Sequence, residues 1–203
     1  MRRLTLNILP GTSNIALKEW AVAIKAMSVG NQVLTIRKGG IHKDDINFRV
    51  THREFLLYPT YEHQNHLQLK KEYHKDLKAS QNTNNSLDQV KLEFWCRVTN
   101  RFEIRTERIL DILSGYHVWT NEYAHKRLHW RPKNPLTVAF LRVYRLQNQP
   151  TIPVLKKYTG CKSWIDLDQK ISLKGMNPIL SDQEYTDRVN NIQNILSESN
   201  ITT

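Results

Sequence analysis

The sequence predicts an α+β domain in which helices flank a mixed, curved or barrel-like β-sheet. Three observations carry this. Apolar residues recur at helical spacing in some segments and alternate in others, so helices and strands interleave along the chain. No glycine-rich phosphate loop follows a predicted strand, which disfavours a doubly wound nucleotide-binding fold. The 203 residues, 39% hydrophobic with five tryptophans, suffice to bury one core.

Residues 1–14 read as an N-terminal arm. Leu17, Trp20, Ile24 and Met27 recur at helical spacing, which predicts an amphipathic helix from Ile15 to Val29, capped by Ser13 or Asn14 and ended by Gly30. The β-branched run from Gln32 to Arg37 predicts a strand, and Gly39-Gly40 turns the chain. Phe48 to Tyr58 is strand-forming, with a slip in alternation near His52-Arg53 that a bulge explains, and Pro59 ends it. Leu69, Tyr73 and Leu77 lie four apart and predict a polar surface helix from Tyr61 to Lys78; residues 79–86 are a polar loop. Residues 90–98 alternate as a strand, with Val90, Leu92, Phe94, Cys96 and Val98 on the apolar face.

Thr106 can cap a short helix to Leu113, with Gly115 as its terminator, and residues 120–129 are helical up to Pro132. Leu136 to Leu146 is a strong strand, apolar on both faces near its start. Pro150 and Pro153 open a loop-rich stretch through Trp164. A capping box of Ser181 and Glu184 starts a C-terminal amphipathic helix with an apolar stripe of Tyr185, Val189, Ile192 and Leu196. The division expected is an arm over 1–14, one α+β domain over 15–178, and a C-terminal helix and tail over 179–203.

Charge is the compositional outlier, at +11. Residues 181–203 carry four acids against Arg188 alone, so residues 1–180 hold about +14 and favour a polyanionic partner, nucleic acid above all. Cys96 and Cys161 have neither metal-ligand nor disulfide spacing and read as free buried thiols of a reducing cytoplasm. Ile15 to Val29 is broken by Lys18, Glu19 and Lys25, so no membrane span is expected and the location expected is cytoplasmic.

Between Arg37 and Gln64 the chain concentrates charge, glycine and aromatic-polar residues that a core does not need. Arg37, Lys38, Gly39 and Gly40 could clamp a phosphate, with Arg53, Tyr58, His63 and Gln64 beside them. Trp119, Lys126 and Arg127 add a second candidate stretch, in which Trp119 could stack an unpaired base, as could Tyr58, Tyr61 and Tyr123. Whether Arg97, Lys126, Arg127, Arg142 and Arg145 meet on one basic face depends on the tertiary fold. Catalysis has weaker candidates. Glu54 and His63 could act as acid or base, and Asp44, Asp45 and Glu54 could hold a divalent metal only if the chain is a nuclease. His63 and His66 lack a third ligand of clear spacing, and Asp168-Gln169-Lys170 falls in no predicted strand, so no metal or other cofactor is expected.

The segments ALKEWAVAIKAMSVGNQVLTIRKGGI (16–41), HREFLLYPTYEHQ (52–64), HVWTNEYAHKRL (117–128), NPLTVAFLRVYRL (134–146) and YTGCKSW (158–164) resemble one bacterial family of domains of unknown function. The resemblance runs from residue 16 to about 168. Some members of that family occur beside restriction-endonuclease-type domains, which implies a restriction-modification association. The run AIKAMSVGNQVLTIR (23–37) is similar to the opening of PUA-like domains of the ASCH and EVE kind, which implies a small β-barrel that binds RNA or reads modified bases. The function expected is a nucleic-acid-binding recognition or accessory module of a restriction-like or RNA-related system. The alternatives are a metal-dependent nuclease and a protein-interaction module that docks a partner through its C-terminal helix.

Overall fold

A curved mixed sheet organises the chain, and its failure to close creates the site. The computed structural model describes residues 9–38, 52–62, 64–83, 88–130, 132 and 134–201. In chain order the elements are β1 (Thr12–Trp20), α1 (Ala21–Ser28), β2 (Leu34–Lys38), β3 (Glu54–Thr60), α2 (His74–Thr83), β4 (Gln89–Lys91) and β5 (Phe94–Ile104). They continue as α3 (Glu107–Leu113), α4 (Asn121–His129), β6 (Leu136–Arg145), β7 (Thr151–Pro153), β8 (Trp164–Ser172), β9 (Asn177–Pro178) and α5 (Asp182–Ile201).

Among the described residues the main sheet runs β2-β6-β5-β3-β1-β8, with β9 added on β6, while β4 and β7 form a separate ribbon. β1 and β3 are parallel, Leu17 opposite Leu57, and the remaining pairs are antiparallel. β1 and β2 lie near opposite ends of this order and share no ladder. The sheet nevertheless curls until their side chains meet. Glu19 Oε2 accepts from Thr35 Oγ1 at 2.7 Å and from Arg37 Nη1 at 3.4 Å. The curve is therefore latched by side chains along an open seam, and the sheet does not close into a barrel.

Both faces of the sheet are covered. Adjacent Trp95 and Cys96 on β5 are each 0% exposed. Trp95 packs with Tyr58 and Val90, and Cys96 with Phe55 and Leu141 across the sheet. Burial pushes the Cys96 thiol well above its ordinary value, which keeps it inert. Gly30 adopts φ +76 just after α1, where its N–H reaches Met27 O at 3.1 Å, so a glycine is what lets the chain turn there.

Several elements differ from the sequence expectation: Pro59 lies inside β3 instead of ending it, α2 runs on to Thr83 into the expected loop, and the run 90–98 divides between β4 and β5. Ile15 to Trp20 belongs to β1, and only Ala21–Ser28 is helical. Its helical spacing was overridden because β3 on one side and β8 on the other satisfy that backbone. The predicted helix over 61–78 is two single 3-10 turns followed by α2, because Asn65 and the bridge from Leu69 to Trp119 interrupt it. Trp164–Ser172 is a strand, β8, where Asp168-Gln169-Lys170 was read as lying outside any strand. Asp168 there pairs with Lys157.

The capping box forms as expected: Glu184 Oε2 accepts from Ser181 N at 2.8 Å and Glu184 N donates to Ser181 Oγ at 3.2 Å. Tyr185, Val189 and Ile192 of α5 pack with Leu110, Leu113 and Val138 in one cluster. Buried Arg142 donates to Asp182 Oδ1 at 2.8 Å and lies 4.9 Å from the Tyr185 ring centre. The apolar stripe of α5 is thus spent on its own domain. Among the described residues no helix is long and apolar enough to cross a membrane.

Candidate nucleic-acid interface

Along the seam between β1 and β2 lies a cleft of about 350 Å³. The ends of β1, β2 and β3 form its floor, α4 and Trp119 one wall, and residues 160–163 the other. Glu19 is the buried centre of the floor, 2% exposed. Its Oε1 accepts from Trp20 N at 2.9 Å while Oε2 takes Thr35 and Arg37. Thr60 Oγ1 donates to Glu19 O at 3.2 Å, tying the end of β3 to β1. Burial pushes the Arg37 guanidinium below its ordinary value, and Glu19 opposes that shift.

Cations line the cleft, and two of them, Arg37 and Lys38, are largely buried, Lys38 at 4% exposed. Lys38 Nζ donates to Leu128 O at 2.6 Å and also to Asn134 O, so it caps the C-terminal end of α4. Burial lowers the Lys38 pKa, and the like charges of Arg127 and Arg105 add to the effect. Arg127 makes no ion pair among the described residues; its guanidinium lies 5.6 Å from the Trp130 ring centre. Across the cleft, Lys18 Nζ donates to Gly160 O at 2.9 Å, and burial lowers its pKa while Glu62 opposes. Lys162 stands exposed beside it.

Aromatic rings fill the space between the cations. Trp20 lies 6.3 Å from Trp119 and 5.4 Å from Tyr123, centre to centre. Burial raises the Tyr123 phenol pKa. Trp119 is held in place by its backbone neighbours. Lys70 N donates to Val118 O and Thr120 N to Gln68 O, each at 3.0 Å, and Gln32 Oε1 accepts from Val118 N at 3.0 Å. Behind this wall, His117 is 2% exposed and neither ring nitrogen makes a hydrogen bond of normal geometry. Burial, with the nearby Lys70 charge, pushes its pKa down to about 3 against a smaller opposing pull from local backbone, so it is neutral at physiological pH.

The cleft brings together Arg37, Lys38, Trp119 and Arg127 from the two candidate stretches. Gly39, Gly40 and His63 lie outside the described residues, as do Asp44 and Asp45. The other named positions are placed elsewhere. Tyr58 is buried against Tyr158, ring centres 6.3 Å apart, with its pKa pushed up to about 12 by burial. Gln64 Oε1 accepts from Val22 N at 3.4 Å and Nε2 donates to Thr60 O at 2.5 Å, which fastens the start of α1 to β3. Arg53 is exposed at the opposite end of β3, its carbonyl accepting from Val98 N at 2.8 Å. Lys126 is exposed and pairs with Glu122 at 2.6 Å. Glu54 is engaged by Arg97, at 2.7 Å from Nη2, remote from the cleft. Arg142 is buried beneath α5, so it joins no face with Arg127. Among the described residues no group of three or more His, Cys, Asp or Glu side chains is placed to hold a metal ion.

Sequence reasoning missed Lys18, Glu19, Trp130 and Lys162, and placed Trp20 on the apolar stripe of a helix. The spacing of Arg127, in the last turn of α4, and Trp130, its C-terminal capping residue, carried a usable signal, because a cation three residues before an aromatic at a helix end can reach its ring. Lys18 to Trp20 carried none, since the seam exists only once the sheet has curled.

The family model described as a domain of unknown function, DUF1802, matches residues 16–191, which extends the expected resemblance into α5. No curated protein matches the chain. The crystal structure of a point mutant of the ZmASCH protein from Zymomonas mobilis aligns over 91% of this chain and 99% of its own, at 10% identity and a TM-score of 0.36.

Proposed function

The chain belongs to the DUF1802 family, and since that description assigns no activity, we propose from the chemistry of the seam cleft that it is a nucleic-acid-binding module. The observation that carries this is one cleft lined by Arg37, Lys38 and Arg127 on one side and by Lys18 and Lys162 on the other, with the rings of Trp20, Tyr123 and Trp130 between them and Trp119 buried behind. Cations supply phosphate affinity, and aromatic rings supply sequence-tolerant stacking. Arg127 matters most, because its five donors are not committed to any carboxylate among the described residues. Such a module would serve as the recognition or accessory part of a restriction-like or RNA-related system.

Fluorescence-anisotropy titration against single- and double-stranded DNA and RNA, at several salt concentrations and with or without magnesium or manganese, tests the proposal. Salt-sensitive binding with the oligonucleotide intact on a gel is the expected result. No binding to any of the four at low salt would refute it.

A further inference from the structure

The dimensions and layout of the cleft bear on which part of a nucleic acid it can accept. Its volume, about 350 Å³, sits at the small end of the range for small-ligand pockets. A base pair with its two backbones does not fit such a space. The aromatic wall also needs a free π-face, which stacked bases of a duplex do not present. At one end of that wall the positive charges crowd. Arg127 is near enough to disfavour the charged forms of both Arg37 and Lys38, and Arg105 adds to the effect at Lys38. The Glu19 carboxylate beneath them is already engaged by Trp20, Thr35 and Arg37. Like charges held together around a cleft oppose one another, and an anion placed among them removes that repulsion.

We infer that the cleft takes one unpaired nucleotide unit, its base against Trp20, Tyr123 and Trp130 and its phosphate at Arg127, with the buried positive charges of Arg37 and Lys38 behind it. This rests on the nucleic-acid reading for the case where the unit belongs to a strand, but the same chemistry would hold a free nucleotide. Trp130 is the expected anchor on the aromatic side, because it is 37% exposed and one guanidinium, that of Arg127, spans both halves of the ligand site.

The test compares three probes with the full chain. One is a short single strand with all its bases, the second is the same backbone with every base removed, and the third is a nucleoside 5′-monophosphate used as competitor. The two strands carry equal charge, so only stacking separates them. The intact strand is expected to bind roughly tenfold or more tighter, and the Trp130→Ala variant to erase most of that gap. The monophosphate is expected to compete, and the uncharged nucleoside and inorganic phosphate alone to compete poorly.

Equal binding of the intact and base-free strands would overturn the single-nucleotide site while leaving the nucleic-acid reading standing. Binding of the monophosphate without either strand would support the site and remove the nucleic-acid reading. Failure of all three probes would sink both. The strand comparison uses the parent protein, so the conclusion survives even if Trp130→Ala proves poorly folded.

Discussion

Replacing Glu19 with Gln should loosen the seam on which the cleft depends. The carboxylate is 2% exposed and receives Trp20 N, Thr35 Oγ1 and Arg37 Nη1 at 2.9, 2.7 and 3.4 Å. A carboxamide can keep the Trp20 bond through its oxygen, and the Thr35 hydroxyl can turn to accept from its NH2. Arg37 cannot adapt, because a guanidinium only donates. The substitution therefore removes the counter-charge from a side chain that is 15% exposed. Breaking one partner of a buried pair costs roughly 3–5 kcal/mol, and the long contact and residual exposure of Arg37 place this case near about 3 kcal/mol. For a domain of this size that corresponds to a fall in Tm of about 6–12 °C. Thermal unfolding followed by circular dichroism reads it directly, and a urea midpoint shift at unchanged slope confirms that stability moved. Adding Arg37→Met to Glu19→Gln should recover part of the loss, since the largely buried guanidinium that lost the Glu19 carboxylate is then removed too. A Tm within about 2 °C of the parent for Glu19→Gln, or no recovery in the double variant, would refute the latch.

Three further predictions can be checked with the same material. His117 is neutral in the fold with a pKa near 3, so below pH 6.5 the unfolded chain binds a proton that the folded chain refuses. Its contribution is therefore level above pH 6.5 and falls as pH drops toward 3, by about 2 kcal/mol at pH 5; urea titrations of parent and His117→Leu at pH 7 and 5 should differ in pH dependence by that amount, and parallel behaviour would contradict it. Arg127→Ala should weaken single-strand binding and reduce the salt slope by about 0.7, whereas Lys126→Ala, one residue away but turned outward onto Glu122, should leave the slope unchanged. Ile192→Ala should cost about 2–5 kcal/mol in chemical denaturation, because Ile192 is 1% exposed in the cluster with Leu110 and Val138; an unchanged midpoint would mean α5 is free to dock elsewhere.

Several elements were legible because their determinants are local. The apolar run of Leu136 to Leu146, the helical segment 120–129 and the capping box at Ser181 are written in residues a few positions apart, whereas the expected Thr106 cap makes no side-chain bond to α3. Arg37, Lys38, Trp119 and Arg127 were also visible as unusual chemistry, because a basic or aromatic residue in a polar setting needs no partner to be noticed. The segment 15–29 was misread because Leu17, Trp20, Ile24 and Met27 keep helical spacing across a strand-helix junction. Only pairing with β3 and β8 decides that Ile15 to Trp20 is extended.

What the sequence determined by itself was the α+β class, the family, the excess of positive charge and the kinds of side chain a site would use. The tertiary structure alone decided which of those side chains share a cleft. The seam joins β1 to β2, strands far apart in the hydrogen-bonding order, through contacts such as Glu19 to Thr35 that span 16 residues. No periodicity encodes such a contact. It follows from the curl of the whole sheet, which brings the ends of β1 and β2 together and leaves Arg127 lining the cleft between them.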